Sequence, residues 1–264
     1  MTDAHYHRDG YATFLSLGDR EFRFYGLHPW QMLNEGNRKS SANTDAQERV
    51  PPGMPISHTT CRGGPRSCAA VKESLREALV ADPHAGVGEI GLDRLKEKTI
   101  SPAQRAAFVA QLEVAAEFGR PVVLHGAKCW GEVVAACRPY AGRIPAFLFH
   151  GFSRSGGLLP EIVALNGFVG VGAALLNDHA VNYRELVREV PIERVLVETD
   201  ADYAERPPRR GGPTISQPSP GRARSPSAPQ YEILCKLAEL RGMEPVALEA
   251  AVDANAARFV EALA

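Results

Sequence analysis

The sequence predicts a TIM-type barrel, an α/β fold that alternates strands with helices, as a single domain over residues 1–264. Three observations support this prediction. Short apolar runs alternate with segments of helical spacing from about residue 69 onward, which is typical of a parallel sheet. Histidine and acidic residues stand at the ends of these runs, where barrels build their sites. The length of 264 residues suits one barrel.

Seven segments are predicted to be strands, because each is a short apolar run bounded by turn-forming residues. In chain order they are DAHYH (3–7), FRFYGLHPW (22–30), AGVGEIGLD (85–93), PVVLH (121–125), IPAFLFHGFS (144–153), GFVGVGAAL (167–175) and RVLVETD (194–200). The stretch between His7 and Pro29 is too short for a comfortable further strand and helix. We therefore expect a distorted or seven-stranded barrel whose irregularity lies near the N-terminus.

The segments between these strands have helical spacing. Residues 101–119 begin with a serine that can cap the helix, continue with proline at the first helical position and end in glycine. Residues 68–83 place four apolar side chains on one face. Further helices are predicted at 130–138, 156–166, 179–190, 228–241 and 245–262.

Two stretches do not resemble packed structure. Residues 34–67 are polar and interrupted by glycine and proline, and residues 204–229 are richer still in proline, glycine, serine and arginine. Both follow strand ends, so both would emerge on the face that bears the histidines. Long loops there are either lids over a site or disordered insertions. We expect partial disorder, with the residues nearest each strand ordered.

Composition excludes several classes of protein. The net charge of −1 argues against a globally basic nucleic-acid coat. No 18-residue apolar run is present, so we expect no membrane span, and the first residues do not resemble a signal peptide. Five cysteines without a CxxC pair indicate reduced thiols and a cytoplasmic location.

Six residues at or near the strand ends are candidate metal ligands: His5, His7, Glu89, His125, His150 and Asp200. This mixed nitrogen and oxygen set suits zinc, manganese or a similar ion better than calcium. Six ligands are too many for one catalytic ion with an open position, but suit two ions that share a carboxylate. Two ions about 3.5–4 Å apart can activate water and neutralise charge on a leaving oxygen, as phosphate ester hydrolysis requires.

The pattern of motifs resembles the TatD-type metal-dependent hydrolases, the TatD deoxyribonuclease family of amidohydrolase-like barrels. The matching motifs are DAHYH (3–7), GLHPW (26–30), GEIGLD (88–93), VLH (123–125), FHGFS (149–153), ETD (198–200) and NAARF (255–259). One such motif is weak, but the ordered set is specific. HGAKCW (125–130) resembles a subgroup with lysine and tryptophan at these positions, and the shortened N-terminal region fits that subgroup.

The resemblance implies two divalent ions per chain, Mg²⁺, Mn²⁺ or Zn²⁺. His5, His7 and Asp200 would bind one ion, and His125 and His150 the other. Glu89 would bridge both, and Asp200 would also accept a proton from the attacking water, which makes Glu89 and Asp200 the catalytic carboxylates.

Two further residues would contact substrate in this family. His28 would lie beside the substrate, and Lys128 would meet a phosphate oxygen. The simpler interpretations stay open: His28 is then a structural turn residue beside Pro29, and Lys128 covers the surface with its aliphatic stem. Asp93, the last residue of GEIGLD, is expected to support a metal ligand or to cap a helix.

The predicted function is a two-metal phosphodiesterase of the deoxyribonuclease or exonuclease type, acting on nucleic-acid ends or a nucleotide-like ester. No obligate protein partner is indicated. One alternative is hydrolysis of a carbonyl ester or amide, such as the aminoacyl ester of a tRNA, because the same activated water attacks either centre. A second alternative is a catalytically inactive barrel that binds a partner.

Overall fold

Eight strands form one sheet whose spatial order follows the chain. The computed structural model of the protein describes residues 1–8, 12–32, 67–95, 98–153, 156–200 and 228–264. The strands are β1 (Asp3–Arg8), β2 (Ala12–Leu17), β3 (Arg20–Tyr25), β4 (Gly86–Asp93), β5 (Val122–Ala127), β6 (Phe147–Phe149), β7 (Gly167–Val171) and β8 (Val195–Val197). This nearly closed barrel confirms the predicted TIM-type α/β fold.

The sequence-based count of seven strands is one short, and the missing strand is β2. It pairs antiparallel with both β1 and β3, whereas the pairs from β3 to β8 are all parallel. Antiparallel neighbours need only a short turn, so a strand fits where a strand-helix unit does not. Because the chain reverses direction twice, between β1 and β2 and between β2 and β3, β1 runs parallel to β3. Strand β1 therefore ends on the same face as β4, β5 and β6.

Seven α-helices are present in the described residues, and each overlaps a predicted one. They are α1 (Cys68–Ala81), α2 (Pro102–Phe118), α3 (Trp130–Cys137), α4 (Leu159–Ala164), α5 (Val181–Glu189), α6 (Ala228–Arg241) and α7 (Pro245–Phe259). Helix α2 shows why the local signals worked: Ser101 Oγ accepts from the backbone N–H of Gln104 at 3.1 Å, and Gly119 ends the helix at a φ of 61°. The largest difference is in α4, which is shorter than the predicted 156–166.

Hydrogen bonds connect β1 to the residues after β8, across the gap between the first and last strands of the sheet. The backbone N–H of Asp200 donates to the carbonyl oxygen of His5 at 3.0 Å. Thr199 donates from its backbone N–H and its hydroxyl to the two carboxylate oxygens of Asp3, at 3.0 and 2.7 Å. These bonds hold the first and last strands together at the face where the candidate ligands lie.

The predicted insertions, 34–67 and 204–229, lie almost entirely outside the described residues. The exceptions are Ser67, whose side chain caps α1, and residues 228–229, which begin α6. Whether the insertions are lids or disordered segments stays a prediction. Among the described helices, none is long and apolar enough to cross a membrane.

Candidate metal centre

All six candidate ligands meet at the carboxyl-terminal face of the barrel, around Glu89. His5 and His7 extend from β1, Glu89 from β4 and His125 from β5. His150 directly follows β6, and Asp200 follows β8. Glu89 and His5 are almost completely buried, whereas Asp200 is half-exposed at the rim. The structure thus gathers side chains that lie between residues 5 and 200 of the sequence.

One carboxylate oxygen of Glu89 faces the first group of donors. Its Oε2 lies 3.4 Å from Nε2 of His5 and 3.4 Å from Nε2 of His7. Oδ1 of Asp200 lies at the same 3.4 Å from each imidazole nitrogen. These separations exceed ordinary hydrogen bonds. Two ligand atoms about 2.0–2.1 Å from one tetrahedral ion are separated by roughly 3.4 Å, so the donor set fits a divalent cation.

An unpartnered buried atom supports the same fit. Nε2 of His5 is buried and has no hydrogen-bond partner within the described part of the chain. A buried imidazole nitrogen without a partner is costly. Coordination of a metal ion by this nitrogen would remove that cost.

The other oxygen of Glu89 faces the second group. Its Oε1 lies 2.7 Å from Nδ1 of His125 and 3.4 Å from Nε2 of His150. His28, predicted to lie beside the substrate, is within this group: its Nε2 is 3.6 Å from Glu89 Oε1 and 3.3 Å from His125 Nδ1. Glu89 therefore lies between two sets of donors, as a bridging ligand must. Ligand atoms of His28, Glu89 and His125 all lie within 4.8 Å of one another, so His28 belongs to the second set.

Two buried carboxylates stand behind the second group of histidines. Oδ2 of Asp93 is 2.9 Å from Nε2 of His125 and also accepts from the indole N–H of Trp30 at 2.6 Å. Oε1 of Glu198 is 3.2 Å from Nδ1 of His150. From the sequence, Asp93 was expected to support a metal ligand or to cap a helix, whereas Glu198 had no predicted place in the site. The available signal was an acidic residue at the end of a buried apolar run, which needs a polar partner.

The electrostatics of the cluster keep its carboxylates ionised. Burial raises the pKa of Glu89, but the charge of His150 and the hydrogen bond from His125 outweigh burial and hold it well below its usual range. The pKa of Asp200 is lowered in the same way, because His5 and His7 outweigh burial. Both side chains are therefore available to a cation at neutral pH.

The neighbouring carboxylates raise the pKa of His125. Burial lowers its pKa, but the hydrogen bonds to Asp93 and Glu89 prevail and raise it to about 9. Burial also opposes ionisation of Asp93, yet bonds from His125 and the backbone of Leu95 lower its pKa to about 2. His125 and Asp93 therefore form an ion pair.

Two site positions adopt left-handed backbone conformations that are unusual for residues other than glycine. Asp200 has a φ of 49° and Lys128 a φ of 58°. Such conformations persist where the surroundings enforce them, often at functional sites. Arg94 donates from Nε to the carbonyl oxygen of Lys128 at 3.0 Å, which stabilises that loop. The Lys128 side chain is exposed at the same face, and its contact with a phosphate stays a prediction.

Glycines on either side of Glu89 explain the GEIG sequence. A Cβ at Gly91 would overlap the carbonyl oxygen of His125, and one at Gly88 would lie 2.7 Å from Cβ of Val123. Both glycines also have positive φ values. Their small size lets β4 approach β5 closely, which brings Glu89 within hydrogen-bond distance of His125.

The loop that bears His28 is held by helix α2. Gln111, buried in that helix, accepts from the backbone N–H of Leu27 at 2.6 Å and donates to its carbonyl oxygen at 3.2 Å. The side chain thus replaces a strand neighbour for this loop. The sequence gives no sign of this role of Gln111, because nothing in a helical pattern marks a polar side chain that hydrogen-bonds to a distant backbone.

Comparisons with known proteins agree with the geometry. A family described as TatD related DNase matches residues 4–261. The proteins named 3'-5' ssDNA/RNA exonuclease TatD from Klebsiella pneumoniae (strain 342) and Citrobacter rodentium (strain ICC168) are 34% and 32% identical to this chain. The matches cover 70% and 69% of the chain, and 68% and 67% of those proteins.

The fold is similar to that of YJJV, a TatD homologue from Escherichia coli K12, with a TM-score of 0.62 and 21% sequence identity. The match covers 90% of this chain and 76% of that one. The family match extends over nearly the whole chain and confirms the resemblance drawn from the motifs. The protein therefore belongs to the TatD-related DNase family of metal-dependent hydrolases.

Proposed function

We propose that this protein is a two-metal exonuclease that shortens single-stranded DNA or RNA from the 3′ end. The observation that supports it most is the position of Glu89, whose two oxygens face two separate groups of donors. The named activity of the relatives from Klebsiella pneumoniae and Citrobacter rodentium supplies the substrate class and polarity. Two neighbouring cations suit a phosphodiester, because they can stabilise both the attacking and the leaving oxygen.

In this proposal, His5, His7 and Asp200 would hold one ion and His125 and His150 the other, and Glu89 would serve both. The separate donors at the two oxygens of Glu89 support this division. Mg²⁺, Mn²⁺ and Zn²⁺ are the candidate ions. Bound there, they would lower the pKa of water and offset negative charge on the phosphate.

The protein's own side chains then have distinct tasks. Asp200, ionised and half-exposed at the rim, accepts the proton of the attacking water. Lys128, exposed on the loop after β5, contacts a phosphate oxygen and stabilises the charge that develops there. His28 is held neutral, because burial lowers its pKa, and lies where a substrate group enters.

Two broader features belong to the same proposal. The chain forms a single domain over residues 1–264, which the continuous eight-stranded sheet supports. It acts in the cytoplasm, consistent with the free thiols of Cys68, Cys129, Cys137 and Cys235.

The test is degradation of 5′-labelled single-stranded DNA and RNA with Mn²⁺ or Mg²⁺, with metal content measured in the same preparation. We expect about two ions per chain, products that shorten progressively from the 3′ end, and complete loss of turnover with excess chelator. Asp200→Asn should lose turnover, whereas Asp178→Asn, the same change in an exposed ion pair with Arg184, should keep it.

Each negative result has a specific meaning. Two bound ions without phosphodiester cleavage would overturn the exonuclease proposal and direct the search to carbonyl esters such as aminoacyl-tRNA. If the protein holds no metal and shows no turnover under any condition, the proposal that it is an enzyme is wrong, and a catalytically inactive barrel that binds a partner is favoured.

A further inference from the structure

We infer that Glu198 is a positioning residue for His150, holding that imidazole so that its Nε2 faces Glu89. Oε1 of Glu198 lies 3.2 Å from Nδ1 of His150 and accepts from the backbone N–H of Gly151 at 2.7 Å. A carboxylate accepts hydrogen bonds, so Nδ1 of His150 bears the proton and Nε2 presents its lone pair. This inference rests on the proposed function, which makes His150 a metal ligand.

Neighbouring residues enclose the carboxylate of Glu198 and leave space for it. Its side chain is 1% exposed at the end of β8, and its backbone N–H donates to the carbonyl oxygen of Val171 at 3.1 Å. A Cβ at Gly170 would overlap Oε2 of Glu198, so glycine at this position of β7 makes the space for it. A buried carboxylate is costly, and Oε2 has no hydrogen-bond partner among the described residues.

A hydrogen bond from the outer nitrogen of a histidine to a buried carboxylate is found in the second group of donors and not at His5 or His7, among the described residues. Nδ1 of His5 and Nδ1 of His7, on the other side of Glu89, are buried without a hydrogen-bond partner in the described residues. His150 instead has an acidic partner on the nitrogen that points away from the cluster. Partners of this kind fix the ring orientation and increase ligand basicity, and their loss typically weakens metal binding about 10- to 100-fold.

The first experiment measures zinc affinity by competition with a chromogenic chelator. We expect Glu198→Leu, similar in size but without an acceptor, to weaken one of the two ions about 10- to 100-fold and to leave the other unchanged. Glu198→Gln retains a neutral acceptor and should lose only about fivefold. Glu161→Gln, the same change in an exposed ion pair with Arg138, is the matched control and should bind like the wild type.

The second readout is the tautomer of His150, followed by ¹⁵N NMR of the zinc-loaded protein with labelled histidine. The wild type and Glu198→Gln should show a proton on Nδ1, and Glu198→Leu should lose that single state. A purely structural role would lower the melting temperature without moving the tautomer. If Glu198→Leu does not fold, unchanged affinity in Glu198→Gln, within twofold of the wild type, overturns the inference.

The variant His150→Ala distinguishes a failure of the positioning role of Glu198 from a failure of the proposed metal centre. If this variant loses one ion while Glu198→Leu keeps wild-type affinity and tautomer, the positioning role is wrong and the proposed metal centre stands. If His150→Ala binds both ions as tightly as the wild type, the assignment of His150 as a ligand fails, and the role of Glu198 fails with it.

Discussion

At the scale of single residues, Glu89 is the side chain that contacts both groups of candidate ligands. It is buried at the middle of β4, where an isolated carboxylate would be expensive. Imidazoles from three strands and the GLHPW loop lie within 3.6 Å of its two oxygens. Their combined charge and hydrogen bonds lower the pKa of Glu89, so the carboxylate stays ionised despite burial. The same position makes its replacement the most informative single change.

We expect Glu89→Gln to reduce bound metal below two ions per chain and to lower turnover by roughly 10³-fold. The amide is a poor ligand for a hard cation and cannot bridge two ions, and metal-ion stabilisation of several kcal/mol corresponds to this factor. Metal analysis and oligonucleotide turnover measure the two effects. Glu117→Gln, in an exposed ion pair with Arg76, is the control. Wild-type metal content in Glu89→Gln would contradict the bridging role.

A second residue-scale prediction concerns Asp93, which contacts both His125 and Trp30. Asp93→Asn removes the charge that holds the outer nitrogen of His125, at 2.9 Å in the protein. Affinity for one ion should fall about 10-fold or more, as chelator competition would measure. Asp82→Asn, before β4 and bonded to the Tyr25 hydroxyl, should bind metal normally. An unchanged affinity would mean that packing alone orients His125.

At the scale of elements, the close approach of β4 and β5 positions the centre. The two strands are paired in parallel, with Gly91 opposite His125 in the register. Any side chain at position 91 would displace the strand that bears His125. The GEIG sequence is therefore a packing requirement as well as a motif, and it can be tested separately from metal chemistry.

Gly91→Ala should destabilise the protein by about 1–3 kcal/mol through overpacking and should also weaken metal binding. Gly119→Ala is a sharp control, because Gly119 likewise has a positive φ but nothing lies within 4 Å of the added Cβ. That variant should lose about 1 kcal/mol from backbone strain alone and bind metal normally. Urea denaturation and chelator competition report the two quantities. Equal losses in both variants would show that the strand contact is not tight.

The elements also show what sequence can and cannot predict. Helix α2 was predicted closely because its capping serine, first-turn proline and terminal glycine are local signals. Strand β2 was missed, because the parallel barrel pattern assumes a helix between neighbouring strands. Only its pairing with β1 and β3 shows that a short antiparallel strand completes the sheet.

At the scale of the whole molecule, the candidate ligands join elements that are distant in sequence. They extend from β1 through β4, β5 and β6 to the residues after β8. The ordered motifs were sufficient to name these residues, since each lies at or near an apolar run. For Asp93 the sequence left two alternatives open, a partner of a ligand or a helix cap, and the contact with His125 is seen only in the structure. Glu198 and the helix residue Gln111 were not identified, because their roles depend on contacts between elements that no local pattern specifies.

Ligands spread over so many elements should make metal binding stabilise the entire fold. An ion that binds only the folded protein adds about 2.7 kcal/mol at 100 times its dissociation constant. For a chain of this size that corresponds to a rise in melting temperature of roughly 5–10 °C. Calorimetry or fluorescence-monitored unfolding of chelator-treated protein, titrated with Mn²⁺ or Zn²⁺, would measure it.

The same titration on two variants tests whether the rise in melting temperature comes from metal bound at the candidate centre. Glu89→Gln should lose most of the metal-dependent rise, since its carboxylate faces both donor groups, whereas Glu117→Gln should keep all of it. A full rise in Glu89→Gln would place the stabilising ion elsewhere on the protein. No rise in the wild type, despite measured binding, would mean that the ion binds the unfolded chain equally well, and the cluster would then not link the strands of the barrel through metal.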